Sequence, residues 1–443
     1  MSNANNPLTS ASSALWRSEQ MQRRIAKRQV RDRRFKRLGL TAVLAAAAFI
    51  VVLLSVVITR AIPGLSQAQV SLEVYFDPLV IGATPDTAAT VAGRTAIVYA
   101  NYGQLIAEAI NRRFADVSDP DKQRQLRTLM SPGARAALRR KVLKNSDLIG
   151  TKQSIWLYLS DDADFYLRQR ARSVEPLPMT SLTTKAATWL NRLQDENLTR
   201  RSFHWLFFQR GDSREPELAG ILGAVMGSFL TLTVTIAIAF PVGLASAIYL
   251  EEFAPKNRFV DIVEVNINNL AAIPSIIFGL LGLAVLLNVF HLPRSSPLVG
   301  GITLALMTLP TIIIAARAAI TAVPHSLREA AMAIGASPIQ VVFHHVVPCA
   351  MPGIMSGTII GMAQALGETA PLLMIGMVAF VVDVPGGLSE AATTLPVQIF
   401  LWADNPERAF TEKTSAAILV LMLFLFAMNG LAVYLRNRFE TRW

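Results

Sequence analysis

Glu368 and Thr369 lie in the string GETAPLLMIG (Gly367 to Gly376), inside a segment from 350 to 380 that carries no other charged residue. An ionised carboxylate at such a depth costs roughly 2.5 to 3.5 kcal/mol on membrane-insertion scales, so Glu368 is expected to face a bundle interior and to have a partner. A carboxylate does not attract an anion, but it can hold an arginine whose spare donors read an oxyanion bidentately. Arg317 is the nearest cation in sequence terms, and Gln364 stands four positions before Glu368. The plainer readings are a helix-to-helix hydrogen bond for Glu368 and, favoured for Arg317, a helix-end cation reaching the cytoplasmic interface.

A second set of residues has the spacing of a docking element. In AVPHSLREAAMAIGASPIQVVFHHVVPCAMPG, Pro324 suits a first helical turn, Gly335 the left-handed residue past a helix end, and Ser337 with Pro338 an N-cap followed by N1. Two short helices meeting at a bend are predicted, the second closed by Pro348. Leu327, Ala330, Ala331 and Ile334 fall at spacings of three and four, leaving Arg328 and Glu329 at the polar edge. Small residues on that face allow close docking into a groove on a partner, although periodicity alone fits an interfacial connector equally well.

Other chemistry is poorly supported. His344 and His345 are adjacent and diverge on a helix, so no metal site is expected there. Cys349 is the single cysteine and reads as an apolar filler. The chain has no Gly-Lys dipeptide, hence no phosphate-binding loop lysine, and nucleotide must be hydrolysed elsewhere.

The elements that position these residues are membrane spans. Of 443 residues 52% are hydrophobic and 16% charged, a balance rare for a soluble protein of this size. Apolar stretches long enough to cross a bilayer, which takes roughly 20 residues, occur at about 39–60, 219–247, 266–290, 298–316, 350–380 and 415–435, the first uncharged from Gly39 to Thr59. The fifth is broken by Glu368 and Pro371 and is expected to bend. The net charge of +11 does not point to nucleic acid, because ten Lys/Arg fall between Arg17 and Arg37, directly before the first span. Residues 1–38 therefore read as a basic cytoplasmic tail, and the first apolar run as a retained span rather than a cleaved signal peptide. Pro241, Pro274, Pro310 and Pro371 suggest kinked helices. Gly353, Gly357 and Gly361, like Gly223 and Gly227, suit close packing, within the chain rather than across a dimer seam.

Residues 61–216 are too many for a connector. Val70, Leu72, Val74 and Phe76 alternate with polar residues, as do Ile155, Leu157 and Leu159, while 98–114 and 121–144 carry helical spacing. A small α+β domain is predicted between the first two spans. Its basic residues read as a solvated face, and a loop longer than about 60 residues escapes the positive-inside bias. Parity then puts the domain outside if the loop around Glu329 is cytoplasmic, with both termini inside.

EAAMAIG followed by VVP is similar to the EAA loop of ABC importer permeases: Glu329, Ala330, Ala331, Gly335 and Pro348 match, while His345 and Val347 stand where the pattern has Ile and Leu. GETAPLL, AIYLEEFAP (Ala247 to Pro255) and IPSIIFGLLGL (Ile273 to Leu283) resemble the PstA family of phosphate importer permeases over about 218–437. Gln364 stands where members often carry Arg, and the long external domain is found in a subgroup. The resemblance implies an all-α polytopic membrane protein with six transmembrane helices of the type I ABC importer permease fold, plus the α+β domain. It divides the chain into 1–38, the first helix at 39–60, the periplasmic domain 61–216, a permease core 217–437 holding the cytoplasmic coupling loop 324–348, and a cytoplasmic end at 438–443. The implied function is that of a non-catalytic permease subunit of an ATP-driven phosphate importer in the bacterial inner membrane. Its implied partners are a PstC-like second permease, two ATPase subunits that bind ATP and Mg, a periplasmic phosphate-binding protein and the lipid bilayer, with no nucleic acid and no cofactor of its own. The alternatives are another oxyanion or small solute as cargo, or a secondary transporter or structural membrane subunit; no inverted repeat favours the transporter.

Overall fold

The computed structural model describes residues 19–171 and 184–439; Arg17, in the predicted basic run, lies outside them. By internal packing the chain forms two units, 1–59 and 60–443. Among the described residues five helices are long and apolar enough to cross a bilayer, or six if one sharply bent pair is a single span.

The first unit is helical from residue 19 onward. Helix α1 (Glu19–Gly64) carries the basic run straight into the apolar one without a break, because Arg, Lys, Ala and Leu are all good helix formers. The predicted tail and first span are thus one continuous helix over the described residues.

The second unit opens with the α+β region. Strand β1 (Ser66–Tyr75) is followed by helices α2 (Pro78–Ile81), α3 (Val91–Tyr99), α4 (Tyr102–Arg113), α5 (Pro120–Arg127) and α6 (Gly133–Lys144), then β2 (Lys152–Tyr158), α7 (Asp161–Ala171), α8 (Thr184–Asp195) and β3 (Thr199–Phe203). The strands form an antiparallel sheet in the order β2-β1-β3, with Leu72 opposite Ile155 and Val70 opposite both Leu157 and Thr199. Side-chain alternation sends Val70, Leu72, Val74 and Phe76 to one buried face, where they meet Leu105, Ile110, Phe114, Leu138 and Leu190 from the helices. Each such aliphatic or aromatic side chain contributes about 1.5 to 3 kcal/mol on full burial. Helix starts are set locally: Asp77, Thr90, Asn101 and Asp119 each accept a backbone N–H from the first turn.

The membrane part consists of α9 (Leu222–Ile248), α10 (Arg258–Ala271), α11 (Ser275–Leu281), α12 (Pro297–Thr321), α13 (His325–Ala333), α14 (Pro338–Val341), α15 (Val347–Gly367), α16 (Ala370–Met374), α17 (Leu395–Ala403) and α18 (Arg408–Phe439). The predicted third span, 266–290, is sharply bent where Pro274 was expected to kink it: α10 and the segment from Ser275 to Leu287 meet at 103°. Pro274 sits at the break with φ −55° and ψ 135°, outside helical geometry, and a proline also disfavours helix at the residue before it. Pro241 and Pro310, by contrast, lie inside continuous helices.

Helix α12 is the bundle's central post. Gly353, Gly357 and Gly361 on α15 face Ala319, Ala315 and Ile312 on α12, so the glycine row is an antiparallel intramolecular seam, as its spacing predicted. Gly227 on α9 lies against the backbone of Thr393, and Ser228 Oγ accepts the N–H of Leu395 at 2.8 Å, which holds the start of α17 inside the bundle.

The α+β region is fastened to α18 by buried charge. Arg168 pairs with Asp164 at 2.8 Å and with Glu412 on α18, while Asp164 also accepts the N–H of Ala68 at 3.0 Å. Lys413 donates to the carbonyl of Gly64 at 3.0 Å and lies 2.7 Å from Nδ1 of His204. Burial beside Lys413 pushes the His204 imidazole down to about 3, and burial next to Asp164 pushes Asp161 up to about 7.

Candidate functional site

The loop after α12 follows its punctuation closely. Pro324 is the cap residue immediately before α13. At the other end Gly335 adopts φ +93°, its N–H bonds to the carbonyl of Met332 at 2.9 Å, and Ala336 N–H bonds to that of Ala331 at 3.1 Å. These two bonds form a Schellman motif, whose left-handed residue carries no side-chain penalty when it is glycine. Ser337 then caps α14 in a reciprocal box: Gln340 N–H donates to Ser337 Oγ at 3.4 Å, and Ser337 N–H to Gln340 Oε1 at 2.9 Å.

The second predicted short helix is corrected. Pro348 does not close it, for α14 runs through a wide π turn (Val342–Val346) into α15, making one rod from Pro338 to Gly367. A proline ring clashes with the carbonyl four residues back, and the extra residue in the π turn removes that clash without ending the helix.

Two arginines set the loop's position, each through carboxylates on other elements. Arg328, expected at an outward polar edge, turns inward: Nη1 donates to the carbonyl of Val323 at 2.7 Å, and Nη2 donates to that of Ile320 at 3.1 Å and to Glu252 Oε1 at 2.7 Å. It satisfies carbonyls at the C-terminal end of α12, where a cation also suits the helix dipole. Arg317 binds Glu251 Oε2 at 3.3 Å and Glu264 Oε1 at 2.8 Å. Three carboxylates and two guanidiniums thus tie together the end of α9, α10, α12 and α13. Glu251 and Glu252 lie on a π turn (Tyr249–Phe253), within the AIYLEEFAP string.

The candidate pairing of Arg317 with Glu368, the less favoured of the two readings of Arg317, is not made. Along the α12–α15 seam Gly353 meets Ala319 and Gly357 meets Ala315, so Glu368 lies near the level of Leu304, about 20 Å from Arg317 at 1.5 Å per residue. Glu368 leaves the helix with φ −77° and ψ 125°, at the break that Pro371 enforces before α16. Glu368 and Thr369 are half-buried and Gln364 is exposed. Among the described residues the Glu368 side chain has no hydrogen-bonding or ionic partner.

What the loop offers outward is apolar. Glu329, Ala330 and Ala333 are exposed, Ile334 is 82% exposed, and Met332, Ile339 and Phe343 are also open, while Ala331 is buried against the bundle. Such a patch of small and aliphatic side chains, next to one carboxylate, suits a protein groove.

Residues 239–441 match the family described as binding-protein-dependent transport system inner membrane component, and 22–176 match a domain of unknown function, DUF3333. The phosphate transport system permease protein PstA 1 of Mycobacterium tuberculosis (strain ATCC 25618 / H37Rv) is 30% identical over 236 residues, covering 53% of this chain and 76% of that protein. The chain belongs to the PstA-type permease family. Phosphate transport system permease protein PstA of Haemophilus influenzae is 31% identical over 213 residues, 48% of this chain and 74% of that one. The probable ABC transporter permease protein YqgH of Bacillus subtilis is 34% identical over 229 residues, covering 49% and 72%. Among solved structures, the inward-facing MetNI methionine ABC transporter aligns with TM-score 0.39 and 20% identity over 50% of this chain and 98% of that chain. Family membership makes this protein a multi-pass inner-membrane permease subunit of an ABC importer, with an ATPase and a binding protein as partners.

Sequence reasoning missed Glu251, Glu252 and Glu264. Paired acids at the end of an apolar helix, with two arginines bracketing the turn after α12, were the available signal.

Proposed function

We propose that this chain forms half of the pathway of an inorganic phosphate importer, is itself non-catalytic, and passes the motion of a separate ATPase to the pathway through residues 324–348. The observation that carries the coupling is Arg328 bridging α13 to the end of α12 and to Glu252. A push on α13 acts on α12 through this clamp, α12 bears on α15 along the glycine seam, and α15 ends at Glu368. Close-packed elements pass such displacements as rigid bodies.

Phosphate as cargo is supported by relatives named phosphate transport permeases at 30% and 31% identity. The half-buried Glu368, without a partner among the described residues, is assigned to the pathway, where a cation from a second, PstC-like permease would meet it and bind the oxyanion with its remaining donors. Thr369 and Gln364 adjoin it as hydrogen-bonding groups. Arg317 is assigned instead to holding the coupling end together. Two ATPase subunits and a binding protein complete the assembly, with the loop 324–348 and both termini cytoplasmic and the α+β domain outside.

The test is uptake by the reconstituted complex of labelled phosphate with sulfate and molybdate as competitors. Uptake that unlabelled phosphate competes away and the other two leave intact is expected; uptake indifferent to phosphate overturns the cargo assignment.

A further inference from the structure

The α+β region ends in exposed aromatics at the point where it meets the membrane. His204 N–H donates to the carbonyl of Leu65 at 2.9 Å, so Trp205 sits level with the chain just past the end of α1 at Gly64. The uncharged run ends at Thr59 and an exposed Arg60 follows. Four residues further, about 6 Å along a helix, Gly64 reaches the headgroup layer that flanks a hydrocarbon core of roughly 30 Å.

At this level Phe203 is 46% and Trp205 65% exposed, and their rings meet edge to face at 5.0 Å. They are rigidly rooted. Phe203 stacks on Phe208 at 5.7 Å, Phe208 meets Phe207 at 5.0 Å, and Phe207 leads at 6.2 Å to the buried Trp402 of α17, itself 6.0 Å from Phe410 of α18. The exposed pair is therefore the outer end of an aromatic chain anchored among membrane helices, and Ile62 on the last turn of α1 is exposed as well.

We propose that Phe203 and Trp205 seat the α+β domain on the bilayer by entering the boundary between headgroups and acyl chains. Indole suits this boundary because its ring body is apolar and its N–H stays hydrated. Arg60 beside the acyl edge and Arg214, which lies over the Phe380 ring at 5.7 Å, supply cations for lipid phosphates on the same side. The seat prevents the domain from pivoting about its connections to α1 and α9, so that it keeps one height above the pathway.

The full-length chain in lipid nanodiscs tests this. Emission lost on Trp205→Phe isolates Trp205 from the other five tryptophans. That difference emission is expected to be strongly quenched by lipids brominated at shallow acyl positions and little affected by aqueous iodide. A second variant, Phe203→Trp in the Trp205→Phe background, should follow the same pattern from the neighbouring ring. Emission that survives brominated lipid overturns the proposal, whether iodide reaches the ring or another protein surface shields it.

Discussion

Arg328 and Glu252 meet at 2.7 Å with side chains only 13% and 12% exposed, joining α13 to the end of α9. Removing one partner of so buried a pair leaves the other uncompensated, which costs about 3 kcal/mol. Arg328→Ala should lower the unfolding temperature of the purified subunit, and Arg328→Met combined with Glu252→Leu should recover much of the loss. Calorimetry in detergent checks this; an Arg328→Ala subunit as stable as the parent would remove the clamp.

Gly335, at φ +93° with open space around it, limits the loop by backbone geometry and not by crowding. Gly335→Val should cost about 1 to 2 kcal/mol locally and abolish ATP-driven uptake while the protein still inserts, whereas Gly335→Asn should retain uptake. Unimpaired uptake by the valine variant would contradict this.

Along the α12–α15 seam the glycines are not equivalent. A methyl group at Gly357 would collide with Ala315, whereas one at Gly361 finds Ile312 at an ordinary 3.6 Å. Gly357→Ala should destabilise by about 1 to 3 kcal/mol and Gly361→Ala far less, measured as shifts in unfolding temperature. Equal shifts would show that the helices separate more easily than this packing allows.

The junction of the α+β region with α18 contains two opposed titrations. Asp161, raised to about 7, favours the folded state when protonated, so its contribution is present below about 4 and lost as pH rises through about 7. His204, lowered to about 3, folds neutral, so its contribution is present above about 6.5 and lost as pH falls towards 3. Over the shared window the two slopes offset each other. Asp161→Asn should leave stability rising with pH, and His204→Gln should leave it falling; melting curves from pH 4 to 8 that match in slope would refute the pairing.

Much of the fold was legible because its signals are local. The alternation at Val70 to Phe76, the capping residues Pro324, Gly335, Ser337 and Pro338, and the glycines at every fourth position each rest on short-range spacing. What escaped was tertiary. The last span was expected at 415, because Glu412 and Lys413 interrupt the apolar window, yet both are paired at the junction and the helix begins at Arg408. Pro348 reads as a stop unless a π turn absorbs it, and the kink expected at Pro274 carries no sign of its 103° size. Within the site, Arg317 and Arg328 found their carboxylates 53 to 76 positions away, a distance over which spacing carries no information.

The coupling reading is tested most directly by the ratio of ATP hydrolysed to labelled phosphate accumulated in proteoliposomes of the complete complex, compared between the parent and Arg328→Ala. With the clamp cut, hydrolysis should persist while accumulation falls, so that the ratio rises at least tenfold, the effect of about 1.4 kcal/mol of lost coupling. An unchanged ratio, with both activities intact, would contradict transmission through residues 324–348 by way of Arg328.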